Sequence, residues 1–168
     1  MCSGTNRDIW IANEILKQQV KGFYQLSMYP LDNFSAFQIT YNGQIYPTSE
    51  HLYQALKFQI TRPDISEEIR LSRSPHEAKE LAHLEKNAKY VRTDWDTVKV
   101  ELMKTICIHK TQQHPYVRKK LLDSGNYPLA ELSMSDSFWG IGPDGNGQNM
   151  LGHIWEEIRE ALRRDEAL

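Results

Sequence analysis

Apolar residues recur at helical spacing along most of the chain and alternate with polar ones only briefly. Ile9, Ala12, Ile15 and Leu16 predict an amphipathic helix over residues 5–20. Residues 23–46 read as extended. Within them, Asn42-Gly43 between Ile39-Thr40-Tyr41 and Gln44-Ile45-Tyr46 predicts a tight hairpin. Thr48 or Ser49 then caps a helix with Glu50 in its first turn. Ser74-Pro75-His76-Glu77 supplies a cap serine, a proline at the first helical position and a glutamate three residues after the cap. Thr93-Asp94-Trp95-Asp96 predicts a similar start. The helix it opens carries Val98, Leu102, Met103, Ile106 and Cys107 as an apolar stripe and runs to about Gln112. A shorter helix over 116–122 is ended by Gly125, and a strand is expected over 128–132. A glycine-rich loop over 139–149 leads into a last helix over 149–163, whose basic end suits the helix dipole. The fold class is mainly α (α+β): one helical domain with a small antiparallel β-hairpin element.

Composition narrows the function classes. A chain of 168 residues supports one domain. Residues 1–22 are expected as an N-terminal helical extension, 23–164 as the domain and 165–168 as a tail. The net charge of −2 argues against life on bulk nucleic-acid phosphate, while leaving room for a local pocket for one or two phosphates. No apolar run approaches the roughly 20 residues of a membrane span. The N terminus lacks a basic patch followed by an apolar core, so no signal peptide is expected. Cys2 and Cys107 lie far apart, which predicts no disulfide framework, a reduced cytoplasmic setting and a buried thiol at Cys107.

Three segments offer chemistry. On a helix, Glu50, Gln54 and Lys57 share one face, with His51, Tyr53 and Phe58 on others. That face presents a carboxylate, an amide and an ammonium at a helix start behind a hairpin; a solvated surface is the plain alternative. Residues 136–152 hold five glycines ahead of a helix N terminus, a natural anion site, with Trp139 to stack on a ring and Asp136 as a second carboxylate. A turn-rich surface loop is the alternative there. Trp95 is either a core anchor or a second aromatic wall. The spacing matches neither a phosphate-binding loop nor a dinucleotide fingerprint. The histidines show no metal-ligand spacing, and no serine-nucleophile elbow is present.

Together and in order, these pieces resemble the NADAR (YbiA-like) domain family. They are Leu31-Asp32-Asn33-Phe34, Tyr46-Pro47-Thr48-Ser49-Glu50-His51, Gln54-Ala55 with Lys57-Phe58, and Asp94-Trp95 with Lys99. Asp136 with Trp139-Gly140 follows, then Asp144-Gly145-Asn146-Gly147 with Asn149, Leu151-Gly152 and Arg159. The resemblance runs from about Phe23 to Arg163. One departure is Asp32 where the family usually has serine before Asn-Phe.

The resemblance implies a mostly helical fold and N-glycosidic bond hydrolysis, on ribosylaminopyrimidine 5′-phosphates of the riboflavin pathway or on ADP-ribose attached to guanine. It thus implies a small ribosyl nucleotide as partner, with ADP-ribosylated guanine in nucleic acid as the second branch, and a scheme that needs no metal or cofactor; no membrane partner is expected from the apolar pattern. Such a reaction needs a group that handles protons, a stabilised cationic sugar and an enclosed leaving base. Glu50 is expected as acid/base, and Asp136 as the carboxylate that orients ribose hydroxyls or stabilises positive charge. Lys57 binds phosphate or, if burial neutralises it, forms a Schiff base with the opened sugar. Trp95 and Trp139 enclose the base, while Asn33, Phe34, Gln54, Gly140 and Asn149 line the substrate. The competing class is a module that binds ADP-ribose or a related nucleotide without cutting it.

Overall fold

The computed structural model describes residues 21–23 and 28–165. The helix expected over residues 5–20 lies outside them. The described elements are β1 (Lys21–Phe23), a 3₁₀ turn (Tyr29–Leu31), β2 (Ile39–Tyr41), β3 (Gln44–Tyr46), α1 (Ser49–Leu56), α2 (Pro63–Arg70) and α3 (Pro75–Ala82). They continue with α4 (Glu85–Ala88), α5 (Trp95–Gln113), α6 (Pro115–Asp123), β4 (Leu129–Glu131) and α7 (Met150–Arg163). This is the expected α+β domain with a small antiparallel strand pair. No helix among the described residues is long and apolar enough to cross a membrane. The described residues fall into two compact units, one of residues 21–23, 28–32 and 115–165, the other Asn33–His114.

In the Asn33–His114 unit, Asn42 and Gly43 both take positive φ (48° and 78°), the backbone that a two-residue hairpin turn demands. Strands β2 and β3 pair antiparallel, Ile39 opposite Tyr46. The outer edge of β2 is closed by a side chain rather than a strand: the Gln113 carboxamide accepts from Thr40 N–H and donates to Thr40 C=O, both at 2.8 Å. Thr48 and Ser74 cap α1 and α3 as their positions predict. Glu77 reaches back to the backbone N–H of Arg73, one residue before the cap. Asp94 departs from expectation. Its side chain makes no capping bond, because Arg92 takes the carboxylate in a two-point ion pair. Helix α5 buries Met103, Ile106 and Cys107, whereas Val98 and Leu102 are half-buried. Lys110 on the same helix is fully buried and donates to the Ser35 hydroxyl at 2.7 Å. Burial pushes the Cys107 thiol up to about 12.

In the other unit, residues 28–31 are not extended as expected: Met28 has φ 47° and Pro30 lies in the 3₁₀ turn. Strand β1 runs parallel to β4, Gly22 opposite Ala130. The other edge of β4 has no third strand. Asn149 donates to Leu129 C=O (2.8 Å) and accepts from Glu131 N–H (2.9 Å), Glu156 accepts from Leu129 N–H, and Ile141 N–H donates to Glu131 C=O. Every edge group named here is thereby paired without another strand. Helix α7 buries Leu151, Ile154, Trp155, Ile158 and Leu162, and the Trp155 indole donates to Leu31 C=O at 3.0 Å. Arg159 is buried on the same helix and donates to Ser124 Oγ and Tyr127 C=O, pinning the turn after α6.

Asn149→Ala removes both β4-edge bonds and places alanine in a left-handed backbone (φ 52°). The expected loss is roughly 2–4 kcal/mol of unfolding free energy, measured by urea denaturation.

Candidate functional site in the Asn33–His114 unit

All eight residues of α1 are buried, although Ser49, Glu50, His51 and Gln54 are polar. The plain alternative of a solvated face is therefore wrong for this helix. Its first turn is held from two directions. Thr48 Oγ1 accepts from the backbone N–H of His51, and the backbone N–H of Glu50 donates to Asn33 C=O at 3.0 Å. That second bond ties the 33–37 loop to the point where the Glu50 side chain leaves the helix. Asn33 donates its amide to Met103 Sδ, a weak acceptor, and Phe34 packs edge-on against His76, centroids 4.8 Å apart.

Glu50 and Gln54 stand one turn apart, 6% and 2% exposed. Gln54 Nε2 donates to Glu50 Oε1 at 2.6 Å. Lys57 closes the helix at its C-terminal end, 8% exposed. Its ammonium lies 5.6 Å from the centroids of both Tyr53 and Trp95, whose rings sit 5.0 Å apart. The backbone places Trp95 there, since Arg92 N–H donates to Lys57 C=O and the chain turns directly into α5. The unit thus brings Asn33, Glu50, Gln54, Lys57 and Trp95 to one helix and its immediate neighbours. Tyr53, on another face by the spacing of Glu50, Gln54 and Lys57, sits under the ammonium. Its spacing to Lys57, i to i+4, is the signal that would have found it. Asn33 Oδ1, Ser49 Oγ and Gln54 Oε1 are buried without a partner among the described residues. Native proteins rarely leave such acceptors unused, and a ligand's N–H and O–H groups would satisfy them.

His51 is a structural pin. Its Nε2 donates to Ser72 C=O at 3.2 Å, so Nδ1 is left to accept from the Thr48 hydroxyl at 2.9 Å. Burial pulls its pKa below 6.5. No group of three or more histidine, cysteine or acidic side chains among the described residues is placed to hold a metal.

Asp136, Trp139, Gly140 and Asn149 lie in the other unit, where local structure engages them. Asp136 Oδ1 accepts from the backbone N–H groups of Phe138 and Trp139, at 2.9 and 2.8 Å, and so forms their turn. Trp139 is half-buried, edge-to-face with Phe138. The glycine loop folds onto itself rather than presenting bare amides. Gly140 N–H goes to Asp136 C=O, Gly147 to Ile141, Asn149 to Gly140, Met150 to Phe138 and Leu151 to Trp139. A Cβ at Gly147 would lie 2.4 Å from the Gly140 carbonyl oxygen, so this glycine serves close backbone packing. The expectation of an open anion site at the α7 N terminus is corrected: these amides are already used. Gly140 and the Asn149 carboxamide are likewise committed to the loop and to β4.

Comparison with known proteins shows what the chain is similar to. Residues 16–163 match the NADAR domain. N-glycosidase YbiA of Escherichia coli strain K12 is 34% identical over 150 residues, covering 88% of this chain and 91% of that protein. The NMR structure of E. coli YbiA matches with a TM-score of 0.76 at 34% identity, over 88% of this chain and 86% of that one. A riboflavin biosynthesis protein of Vibrio vulnificus is 37% identical over 133 residues, 79% of this chain and 35% of its own length.

Two outcomes are expected. Below about pH 6.5 the unfolded chain protonates His51 while the folded chain resists, so this contribution to stability is intact above 6.5 and is lost as pH falls further. Urea unfolding across pH 5–8 should show a steeper fall in the wild type than in His51→Gln, roughly over that range. Asp136→Asn keeps an oxygen acceptor for the turn and should change stability little, whereas Asp136→Ala should cost about 1 kcal/mol by the same assay.

Proposed function

This chain belongs to the NADAR domain family, and from that premise we propose that it acts through Glu50 and Lys57 on a phosphorylated or ADP-linked ribose, cleaving its bond to a base-type nitrogen. It is a hydrolase of N-glycosyl compounds, the activity that the names of its relatives carry. The observation that carries the residue assignment is the burial of Glu50, Gln54 and Lys57 along one helix, with two aromatic rings against the ammonium. Burying two charged side chains is costly, and apolar residues of similar size would hold the same helix at less cost.

In this reading the C1′–N bond breaks with its electron pair going to the leaving nitrogen, and the ribose becomes cationic at C1′. Glu50 handles the protons of the step. It takes one from the attacking water, whose oxygen bonds to C1′, and the departing nitrogen gains one, so that ribose with a free hydroxyl and a neutral base result. Lys57 takes one of two roles. As an ammonium it pairs with a substrate phosphate. As a neutral amine it adds to the opened sugar aldehyde and expels water to form a Schiff base, which a second water returns to amine and aldehyde. Trp95 and Tyr53 provide the apolar wall that excludes solvent. Asn33 and Phe34 border the substrate from the preceding loop. Asp136 uses its Oδ1 in its own turn.

The substrate class best supported is a ribosylaminopyrimidine 5′-phosphate, since relatives in Vibrio vulnificus and Zea mays are named as riboflavin biosynthesis proteins. Incubation with such a compound should release ribose 5-phosphate. Release of ADP-ribose from an ADP-ribosylated guanine oligonucleotide alone would move the assignment to that branch, and no release from either would favour a binding module. Glu50→Gln should stay folded and lose at least about 100-fold in kcat; a fully active variant would remove Glu50 from proton handling. Borohydride during turnover should trap a covalent adduct that Lys57→Arg lacks. A Lys57→Arg enzyme that turns over normally without any adduct in the wild type would leave only the phosphate role.

A further inference from the structure

We propose that Gln54 is the positioning residue for Glu50, fixing its carboxylate as an oriented and ionised acceptor; this rests on the reading of Glu50 as the reacting carboxylate. The two side chains leave one rigid helix at i and i+4, so their relative placement is set by the backbone. Gln54 turns its nitrogen, not its oxygen, toward Glu50, and the 2.6 Å contact is at the short end for an N–H donor facing a carboxylate. A donor in that position favours the charged form and restricts the carboxyl to one rotamer.

The other end of Gln54 carries the argument past packing. Its Oε1 is buried and has no partner among the described residues. A glutamine that served only to fill space would be a costly choice in a helix interior where leucine or methionine fits. Here only the end that touches Glu50 is engaged. The ionised carboxylate it holds is the form that accepts a proton from water and stabilises a cationic C1′. The reaction therefore starts with Glu50 as base.

The experiment uses the full chain with Gln54→Met, which keeps length and removes the donor, and Gln54→Glu, which keeps shape and replaces the donor with an acceptor. Both leave His51 and Tyr53 on α1, and Lys57 at its C-terminal end, in place. The Glu50 carboxyl is followed by ¹³C NMR titration without substrate and identified by its loss in Glu50→Gln. In Gln54→Met the Glu50 midpoint should rise by about one pH unit. On the ribosylaminopyrimidine phosphate, kcat should fall about tenfold or more with KM within about threefold. In Gln54→Glu the facing carboxyls share one proton, so activity should recover only as pH is lowered. An unmoved Glu50 midpoint in Gln54→Met, a wild-type kcat, or a loss confined to KM would each overturn the proposal. Should Gln54→Met fail to fold, Gln54→Glu decides, and a wild-type pH profile there overturns it. An active Glu50→Gln enzyme would instead refute the role of Glu50, while the midpoint shift would still report the Gln54 contact.

Discussion

The Asn33–His114 unit depends on one constraint: helix α1 is buried along its whole length while half its residues are polar. Each buried polar group must find a partner or cost free energy. The surroundings follow from that demand. Thr48 serves the His51 amide, and its hydroxyl faces the His51 ring. Ser72 supplies the carbonyl for the far ring nitrogen, and Asn33 meets the Glu50 amide. At the other end, Lys57 C=O fixes Arg92 and through it the start of α5 and Trp95. The loops that border Glu50 and Lys57 are those that the helix needs for its own hydrogen bonds. After this pairing a few acceptors remain, on Asn33, Ser49 and Gln54, in the neighbourhood assigned to substrate.

The same accounting shapes the other unit, toward a different end. A two-stranded parallel sheet exposes an edge, and β4 has its edge closed by Asn149, Glu156 and Ile141. The glycines that looked like a phosphate cradle let the chain run back across itself, so loop amides meet loop carbonyls. Buried Arg159, whose pKa is lowered by burial, is stabilised by a hydroxyl and a carbonyl and locks the turn that follows α6. Asp136, Gly140, Gly147 and Asn149, which the family resemblance groups with the α1 residues, build this loop and the β4 edge.

What was legible in the sequence was local. The Asn42-Gly43 hairpin, the Thr48 and Ser74 caps and the end of α6 before Gly125 each depend on a few neighbouring residues and form as expected, and the α5 stripe is buried at Met103, Ile106 and Cys107. The α1 face is visible as a spacing of Glu50, Gln54 and Lys57, but not its burial, which is set by how α2, α3 and α5 pack against it. The parallel pairing of β1 with β4 joins residues more than a hundred apart, beyond any local pattern. Equally hidden were the side chains that imitate strands, because nothing in a glutamine at the end of α5 or an asparagine before α7 says that its amide meets a sheet edge. Asp94 looked like a helix cap until Arg92 competed for its carboxylate.

The central claim is that the charges on α1 are kept for chemistry and at the expense of stability. Urea unfolding and turnover of Glu50→Met/Lys57→Met, measured on the same preparation, address it directly. The double variant should unfold at the wild-type denaturant concentration or above, since apolar replacements relieve buried charge, and should release no ribose phosphate. A double variant destabilised by several kcal/mol that still turns over in proportion to its folded fraction would contradict the account.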